Sequence, residues 1–547
     1  MPNTLAIVIA DRQTSRLGLA SHLADSLGGV SVLQRTVRRV ERIKSVRKIV
    51  IIHPEDQELG DLVKQNKKQL VFHPAAVTDK FTPMRQSARK WAMINWRGGL
   101  GGATCYDELL PPLPIYEAAK AHGGDAVILV GGDWPLVDPD YCEKTLAIHL
   151  EHPKDLQMTF NQAPPGLSGV VICTDLLKQM SESDGASFGN MLAYVPSHPQ
   201  ADPIGRDICY AIPPAVRSVA QRFIYDNTRS IAMMDQLDID WDNATATEIV
   251  SAMQPPQSMP QQVSIELTPK RICNGPLIPQ HHVEFNRQPM SMHTLERMLK
   301  SLPPESLVTF GGLGDAMLHD QWIDAINLAK DAGVFGIHIQ TDLQGTPQQV
   351  EKLLRLPIDI VSIRINADTS ATYEKLCSPG DPQHNFKHLT DNLQWLLNER
   401  NRRWQSPEFD NKPGIPWLLP TLIKVSDNLK DMETFFDRWT HYTQQAVILP
   451  AQSGCGLMPE MSPVKMAPPT RMACRQVSRR VTILSDGTVA QCDQDWLGKA
   501  PLGKLDDNTM SLPQLWEDKG KSLCASHAAL DIDTLELCKN CHEWHRP

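Results

Sequence analysis

No targeting segment is expected at the start of this sequence. Its one early apolar stretch, residues 5–10, is six residues long and has no basic flank. That is too short for a signal peptide or a spanning helix, which predicts a cytoplasmic protein. A surplus of positive charge is missing too: 54 Lys and Arg stand against 63 Asp and Glu, a net charge of −9. There is thus no electrostatic footprint for nucleic acid or an anionic membrane, and the expected partners are small molecules or another protein. No internal repeat of fixed period is present. What is there is length: 547 residues exceed one hydrophobic core and predict two or three domains. There are also 12 cysteines, which in a reducing compartment point to metal ligation, catalysis or burial rather than disulfides.

Short apolar runs alternate with helical patterns from the start. Residues 5–9 and 48–52 read as strands around a helix over 32–43, and a helix over 114–122 leads into the buried-strand composition of 125–130. Gly131, Gly132 and Asp133 follow at once, at a strand's C-terminal end, where open parallel sheets carry their sites. The Gln/Pro/Met-rich stretch 253–262 reads as a linker. Beyond it the alternation restarts, with strands expected at 263–267, 307–310, 336–340, 358–366 and 417–424 and helices at 291–301 and 320–332. That rhythm argues for parallel strands with right-handed crossovers, in a full or partial barrel. From about residue 467 the chain becomes short, cysteine-bearing and turn-rich. The expected division is 1–252, linker 253–262, barrel 263–466 and tail 467–547.

In the tail, Cys474 and Cys492 flank a hairpin whose turn is Asp486-Gly487, and Cys538 and Cys541 form a Cys-x2-Cys knuckle. Four thiolates suit a soft metal centre, an iron-sulfur cluster or zinc. The segment "VTILSDGTVAQC", the spacer "LGKLDDNTMSLPQLW" and the closing "CKNC" resemble the SPASM extension of radical SAM proteins. The resemblance implies a [4Fe-4S] cluster held by Cys474, Cys492, Cys538 and Cys541, with Cys524 as the alternative ligand.

The middle region resembles a radical SAM barrel. After the strand at 307–310 comes Gly311-Gly312-Leu313-Gly314-Asp315, similar to the family's glycine-rich loop, which implies contact of Gly311, Gly312, Gly314 and Asp315 with S-adenosylmethionine. The family's Cys-x3-Cys-x2-Cys motif is incomplete: Cys273 matches its first position, while Leu277 and Gln280 hold the other two. His281 and His282 fall one and two residues late and are harder ligands. A barrel without ordinary radical chemistry is expected.

The segments "AIVIADRQTSRLGLASHLADSLGGVSVLQRTVRRVERI" and "RGGLGGATCYDELLPPLPIYEAAKAHGGDAVILVGGDWPLVDP" resemble cytidylyltransferase-like sugar nucleotidyltransferases. That implies a Rossmann-like domain of GT-A type, a Mg²⁺ ion on Asp133 with a second carboxylate from "LDIDWDNATATEI", Asp240 before Asp238, and nucleotide contacts from Arg12, Arg16, Gly98 and Gly99. The phosphate-gripping lysine of that family is absent, since the opening loop reads Arg16-Leu-Gly-Leu-Ala20. Arg35, Arg38, Arg39 and Arg42 share a helix and are expected on its solvated face.

The whole arrangement resembles the spiro-SPASM type of fusion: an α/β nucleotidyltransferase-like head, a degenerate, partial TIM-like radical SAM barrel and a small cysteine-rich extension. Three functions remain open on the sequence. The head could be an NTP-dependent nucleotidyltransferase activating a sugar or sugar acid. The chain could be a binding or scaffold protein with a structural or electron-transfer cluster. It could be a radical SAM enzyme with unusual cluster ligands.

Overall fold

The computed structural model describes residues 2–545 except 65–66, 110, 154, 184, 194–200, 255–258, 378–381, 406–415, 465–466, 506–509 and 540. The centre of the expected linker therefore lies outside the described residues. The chain divides into two compact units, Met1–Tyr194 with Pro199–Pro256, and a second whose main body is Gln257–Pro547.

The first unit is built on a mixed sheet. Its strands are β1 (Thr4–Ile9), β4 (Lys48–His53), β5 (Gln69–Pro74), β6 (Ala126–Gly131), β7 (Met158–Asn161), β8 (Val170–Cys173) and β9 (Cys209–Tyr210), in the order β5-β4-β1-β6-β8-β7-β9. A two-residue ribbon, β2 (Ser26–Leu27) and β3 (Val30–Ser31), stands apart. β1 runs parallel to β4 on one side and β6 on the other, while β8 is antiparallel to β6 and β7. Every residue of β1 and β6 is buried, which is why both read as unbroken apolar runs rather than alternating ones. The chain leaves β1 toward β4 and returns to β6 on the opposite side, so the loops after β1 and β6 meet at a topological switch point. The contact is direct: Gly132 N–H donates to Ile9 O at 2.7 Å.

One expectation about this unit is corrected. The helix Val32–Val40 does not put all its arginines in solvent: Arg35 and Arg39 are buried, at 2% and 0% exposure. Arg39 donates to Val137 O, Trp241 O and Ala244 O, and Arg35 to Leu27 O, Gly28 O and Asp242. The guanidinium forks satisfy backbone carbonyls of loops that contribute no regular ladder, a use of Arg that charge pattern alone does not distinguish from a wet face.

The second unit carries β10 (Gln262–Ile265), β11 (Leu307–Phe310), β12 (Gly336–Thr341), β13 (Ile360–Arg364), β14 (Trp417–Lys424) and β15 (Val447–Pro450), all parallel and neighbours in chain order. Crossover helices include Met292–Lys300, Trp322–Asp331, Phe386–Trp404 and Leu429–Thr443. The sheet stays open, as in a partial barrel. At its other end the tail hairpin β16 (Arg480–Ile483) and β17 (Thr488–Ala490), with β18 (Gly503–Lys504), extends it, β16 lying parallel to β10. The hairpin flanked by cysteines is thus part of the barrel's own sheet. Among the described residues, no helix is long and apolar enough to cross a membrane.

Candidate functional site

In the tail, three separated pieces of chain bring their thiols to one pocket. Cys474 precedes the short helix Gln476–Arg479, Cys492 follows β17, and Cys538 lies in the terminal helix Glu536–Lys539 three residues before Cys541. All four line a pocket of about 390 Å³ including its mouth, together with Arg471, His527 and Trp544. Each sulfur has an N–H donor. Cys474 accepts from the Gln476 and Val477 backbone, Cys492 from Gln494, and Cys541 from Glu543 at 3.3 Å. Cys538 accepts from Gln491 Nε2 at 2.9 Å. Three of these donors stand two residues after their cysteine, a turn geometry that aims backbone N–H groups at sulfur.

Arg471 adds a fixed positive charge and holds the knuckle by donating to Cys541 O and Cys538 O at 2.9 and 3.3 Å. Burial pushes the Cys474, Cys492 and Cys538 thiols up, the last to about 11, as does the company of other thiols. Cys541 alone is pulled down, to about 6, by a hydrogen bond from Cys455 first and by the Glu543 N–H and Arg471 as well. Clustered thiols surrounded by N–H donors suit a soft cationic centre. The donor set fits an iron-sulfur cluster held by Cys474, Cys492, Cys538 and Cys541. Among the described residues, no group of three or more His, Cys, Asp or Glu side chains is gathered closely enough to hold a single ion. Cys524 bonds Val477 O at 3.5 Å and is not in the pocket lining. Sequence reasoning missed Cys455, which does line it, because its surroundings carry no spacing motif.

The residues expected to form a site in the barrel have different surroundings. Cys273 is buried, with its sulfur 3.3 Å from Tyr373 Oη, and burial with the nearby Asp342 charge pushes its thiol up. Leu277 packs in the apolar core, and Gln280 donates to Pro269 O and Leu313 O at 2.7 and 3.0 Å. The third cluster position therefore ties down the glycine loop. That loop's acceptors are also taken: Arg364 donates to Gly312 O at 2.8 Å and Gly314 O at 3.0 Å. Gly311 sits against Gln340, whose Oε1 accepts from Gly312 N–H. Asp315 accepts from Met317 N, Asp342 N and Thr341 Oγ1, and burial lifts its carboxyl to about 6. Arg271 chelates Asp342. These residues do not fit a cluster on Cys273 or S-adenosylmethionine on the glycine loop. His281 and His282 are exposed and bond carbonyls of their own loop.

Packing here leaves no slack. A Cβ on Gly314 would sit 1.7 Å from Thr268 O, so Gly314→Ala is expected to cost about 2–3 kcal/mol by overpacking, read as a lower thermal midpoint. Gly60→Ala, where a Cβ meets nothing, is the control, and equal midpoints would contradict the close approach.

In the head, Asp133 lies in the loop after β6, but the expected pairing with Asp240 gives way to another. Asp240 is exposed and caps its own turn, accepting from Asp242 N, Asn243 N and Asn243 Nδ2. The acidic neighbour of Asp133 is Asp226, brought there because Tyr225 N–H donates to Asp133 O at 2.8 Å. Its sequence signal was an apolar triplet, Phe223-Ile224-Tyr225, ending in Asp226 before the Asn227 helix cap. Arg222 grips Asp226 through two nitrogens at 2.9 and 2.5 Å and Glu108 at 3.1 and 2.7 Å, and Arg89 also bonds Glu108 at 2.7 Å. An arginine thus stands on the second carboxylate where a two-carboxylate Mg²⁺ site needs it free, and the residues do not fit that ion.

The remaining head candidates are occupied too. Arg12 pairs with Asp61 at 2.9 Å, and Arg16 is buried on Asp11, Val77 O and Leu109 O. Gly98 N–H donates to Ala103 O, closing its loop, and a Cβ on Gly99 would meet Ala92 at 2.6 Å.

Asp133 is buried with Oδ1 unpartnered, and burial and Asp226 raise its carboxyl to about 7. A carboxyl whose folded pKa exceeds the unfolded value of about 3.9 stabilises the fold below that value and loses this contribution as pH rises toward 7. Parent protein is expected to lose thermal stability between about pH 4 and 7, and Asp133→Asn to flatten that decline. Identical slopes in the two proteins would contradict the assignment.

Residues 474–542 match the family model of SPASM, an iron-sulfur cluster-binding domain. The chain joins a mixed-sheet α/β unit to a parallel-stranded α/β unit whose sheet is extended by this SPASM segment. An uncharacterized protein of Treponema pallidum (strain Nichols) is 26% identical over 133 residues, 24% of this chain and 35% of that protein. The match therefore spans about a third of that relative's length. Among solved structures, BtrN in complex with AdoMet and 2-DOIA is similar at 15% identity, with 52% of this chain and 93% of that chain covered and a TM-score of 0.32. A cytidylyltransferase from Leptospira borgpetersenii serovar Hardjo-bovis is similar at 14% identity, with 46% and 93% covered and a TM-score of 0.33. Streptococcus suis SuiB bound to precursor peptide SuiA is similar at 11% identity, with 52% and 71% covered and a TM-score of 0.39.

Proposed function

We propose that this chain is a [4Fe-4S] protein whose tail centre exchanges electrons, while head and barrel recognise the nucleotide, sugar or protein acceptor it serves. The observation that carries this reading is the pocket of thiols with an N–H donor on every candidate ligand. Such donors stabilise the reduced, more negative cluster and so raise its potential. The inherited sites weigh the other way: their arginines and acids are spent on one another.

Anaerobic purification with iron and sulfide analysis, followed by dithionite reduction and EPR, tests this. About four irons per chain and a reducible cluster are expected. Zinc at about one per chain, or a cluster that accepts no electron, would sink the reading.

A second reading, nucleotidyl transfer to a sugar or sugar acid, draws on one observation, the orphaned Oδ1 of Asp133. It predicts pyrophosphate release from CTP or another NTP, lost in Asp133→Ala.

A further inference from the structure

The pocket holds more thiols than one four-iron cluster needs. Cys455 lines it beside Cys474, Cys492, Cys538 and Cys541, and its thiol hydrogen-bonds Cys541. It lies before the region matched by the SPASM model, which begins at 474. Its position is enforced. Cys455 has φ +56° and sits between Gly454 at +58° and Gly456 at +91°, three consecutive left-handed residues of which only the outer two are glycine. The loop is clamped from the chain just after Cys492: Gly454 N–H donates to Gln494 Oε1 at 3.3 Å, and a Cβ on Gly454 would strike the Trp496 ring at 2.3 Å. Trp496 in turn packs on Met458 and Leu313. A non-glycine residue in the left-handed region costs about 1–2 kcal/mol and persists where surrounding contacts hold it. Here they hold a thiol against a cluster ligand.

We propose that Cys455 is an exchangeable fifth ligand of the tail centre, able to take the iron held by Cys541. In the exchange one Fe–S bond forms at Cys455 as the bond to Cys541 breaks. The proton on Cys455 Sγ passes to Cys541 Sγ along the hydrogen bond already joining them, and no electron is gained or lost. With Cys541 as ligand, Cys455 donates S–H to the bound sulfur, and after exchange the roles reverse.

This rests on the iron-sulfur reading above, and the test separates the two. Full-length protein and the variants Cys541→Ser, Cys455→Ser and Cys455→Ser/Cys541→Ser are reconstituted anaerobically with iron and sulfide, then examined by iron analysis and EPR. If the parent holds no cluster, the functional reading fails first. With a loaded parent, Cys541→Ser and Cys455→Ser are each expected to keep about four irons, and the double variant to fall to three or fewer with a three-iron EPR signal. Equal loss in Cys541→Ser and the double variant overturns the proposal, as does loss of the cluster in Cys455→Ser alone. Should the double variant fail to fold, the midpoint potential of Cys455→Ala decides. It is expected below the parent's because the S–H donor to the Cys541 sulfur is removed, and an unchanged potential overturns the proposal.

Discussion

Cys474→Ser combined with Cys538→Ser is expected to strip the chain of iron, from about four per molecule to near none, and to release the C-terminal helices. The two thiols stand on different pieces of chain, one before β16 and one in the helix Glu536–Lys539. Those pieces meet at the pocket, where Arg471 donates to the knuckle carbonyls and Gln491 Nε2 to Cys538 Sγ at 2.9 Å. Because the ligands come together only in the fold, binding energy of the centre is folding energy of the tail. The barrel should survive, since β16 pairs with β10 through backbone hydrogen bonds along four residues. Limited proteolysis should therefore cut the variant after β17 while leaving the parallel sheet intact, and the visible absorption of the cluster should vanish. A double variant with unchanged iron and an unchanged cleavage pattern would refute the ligand assignment.

The second large effect lies in the head. Arg222→Met is expected to destabilise the protein by about 3–5 kcal/mol, because it leaves Glu108 and Asp226 buried without the cation that compensates them. Both acids are nearly inaccessible, at 6% and 1% exposure. The arginine beside it holds the Glu108 carboxyl below its ordinary range. Lysine is not a substitute, since one ammonium cannot chelate two carboxylates as the guanidinium fork does. The thermal midpoint should fall by about 10 °C, while Arg12→Met, which breaks only the exposed pair with Asp61, should change stability by no more than about 1 kcal/mol. Similar midpoints for the two variants would show that the buried network carries no such load.

These networks also explain where sequence reading succeeded. The strands at 307–310 and 417–424 were legible to the residue, since strands buried over most of their length read as mainly apolar runs. The long helices Phe386–Trp404 and Leu429–Thr443 went unread, their surfaces dominated by polar and charged residues around a narrow buried stripe. Asp226 was missed in favour of Asp240 because both are acids near a helix start. Only the bond from Tyr225 N–H to Asp133 O says which one returns to the switch point. The arginines of the helix Val32–Val40 were read as wet for the same reason: a charged side chain shows its charge in the sequence but not its partner.

By itself, the sequence determined the two α/β bodies and the cysteine-flanked hairpin. Strand burial, turn chemistry and ligand spacing are local properties written in consecutive residues. Tertiary structure alone decided that Arg222 stands on Asp226, that Arg364 fills the glycine loop and that the hairpin continues the barrel sheet. It alone put a fifth thiol, Cys455, against Cys541. Each of these joins residues far apart in the chain, and which charge or thiol meets which is set by the packing that folds those segments together.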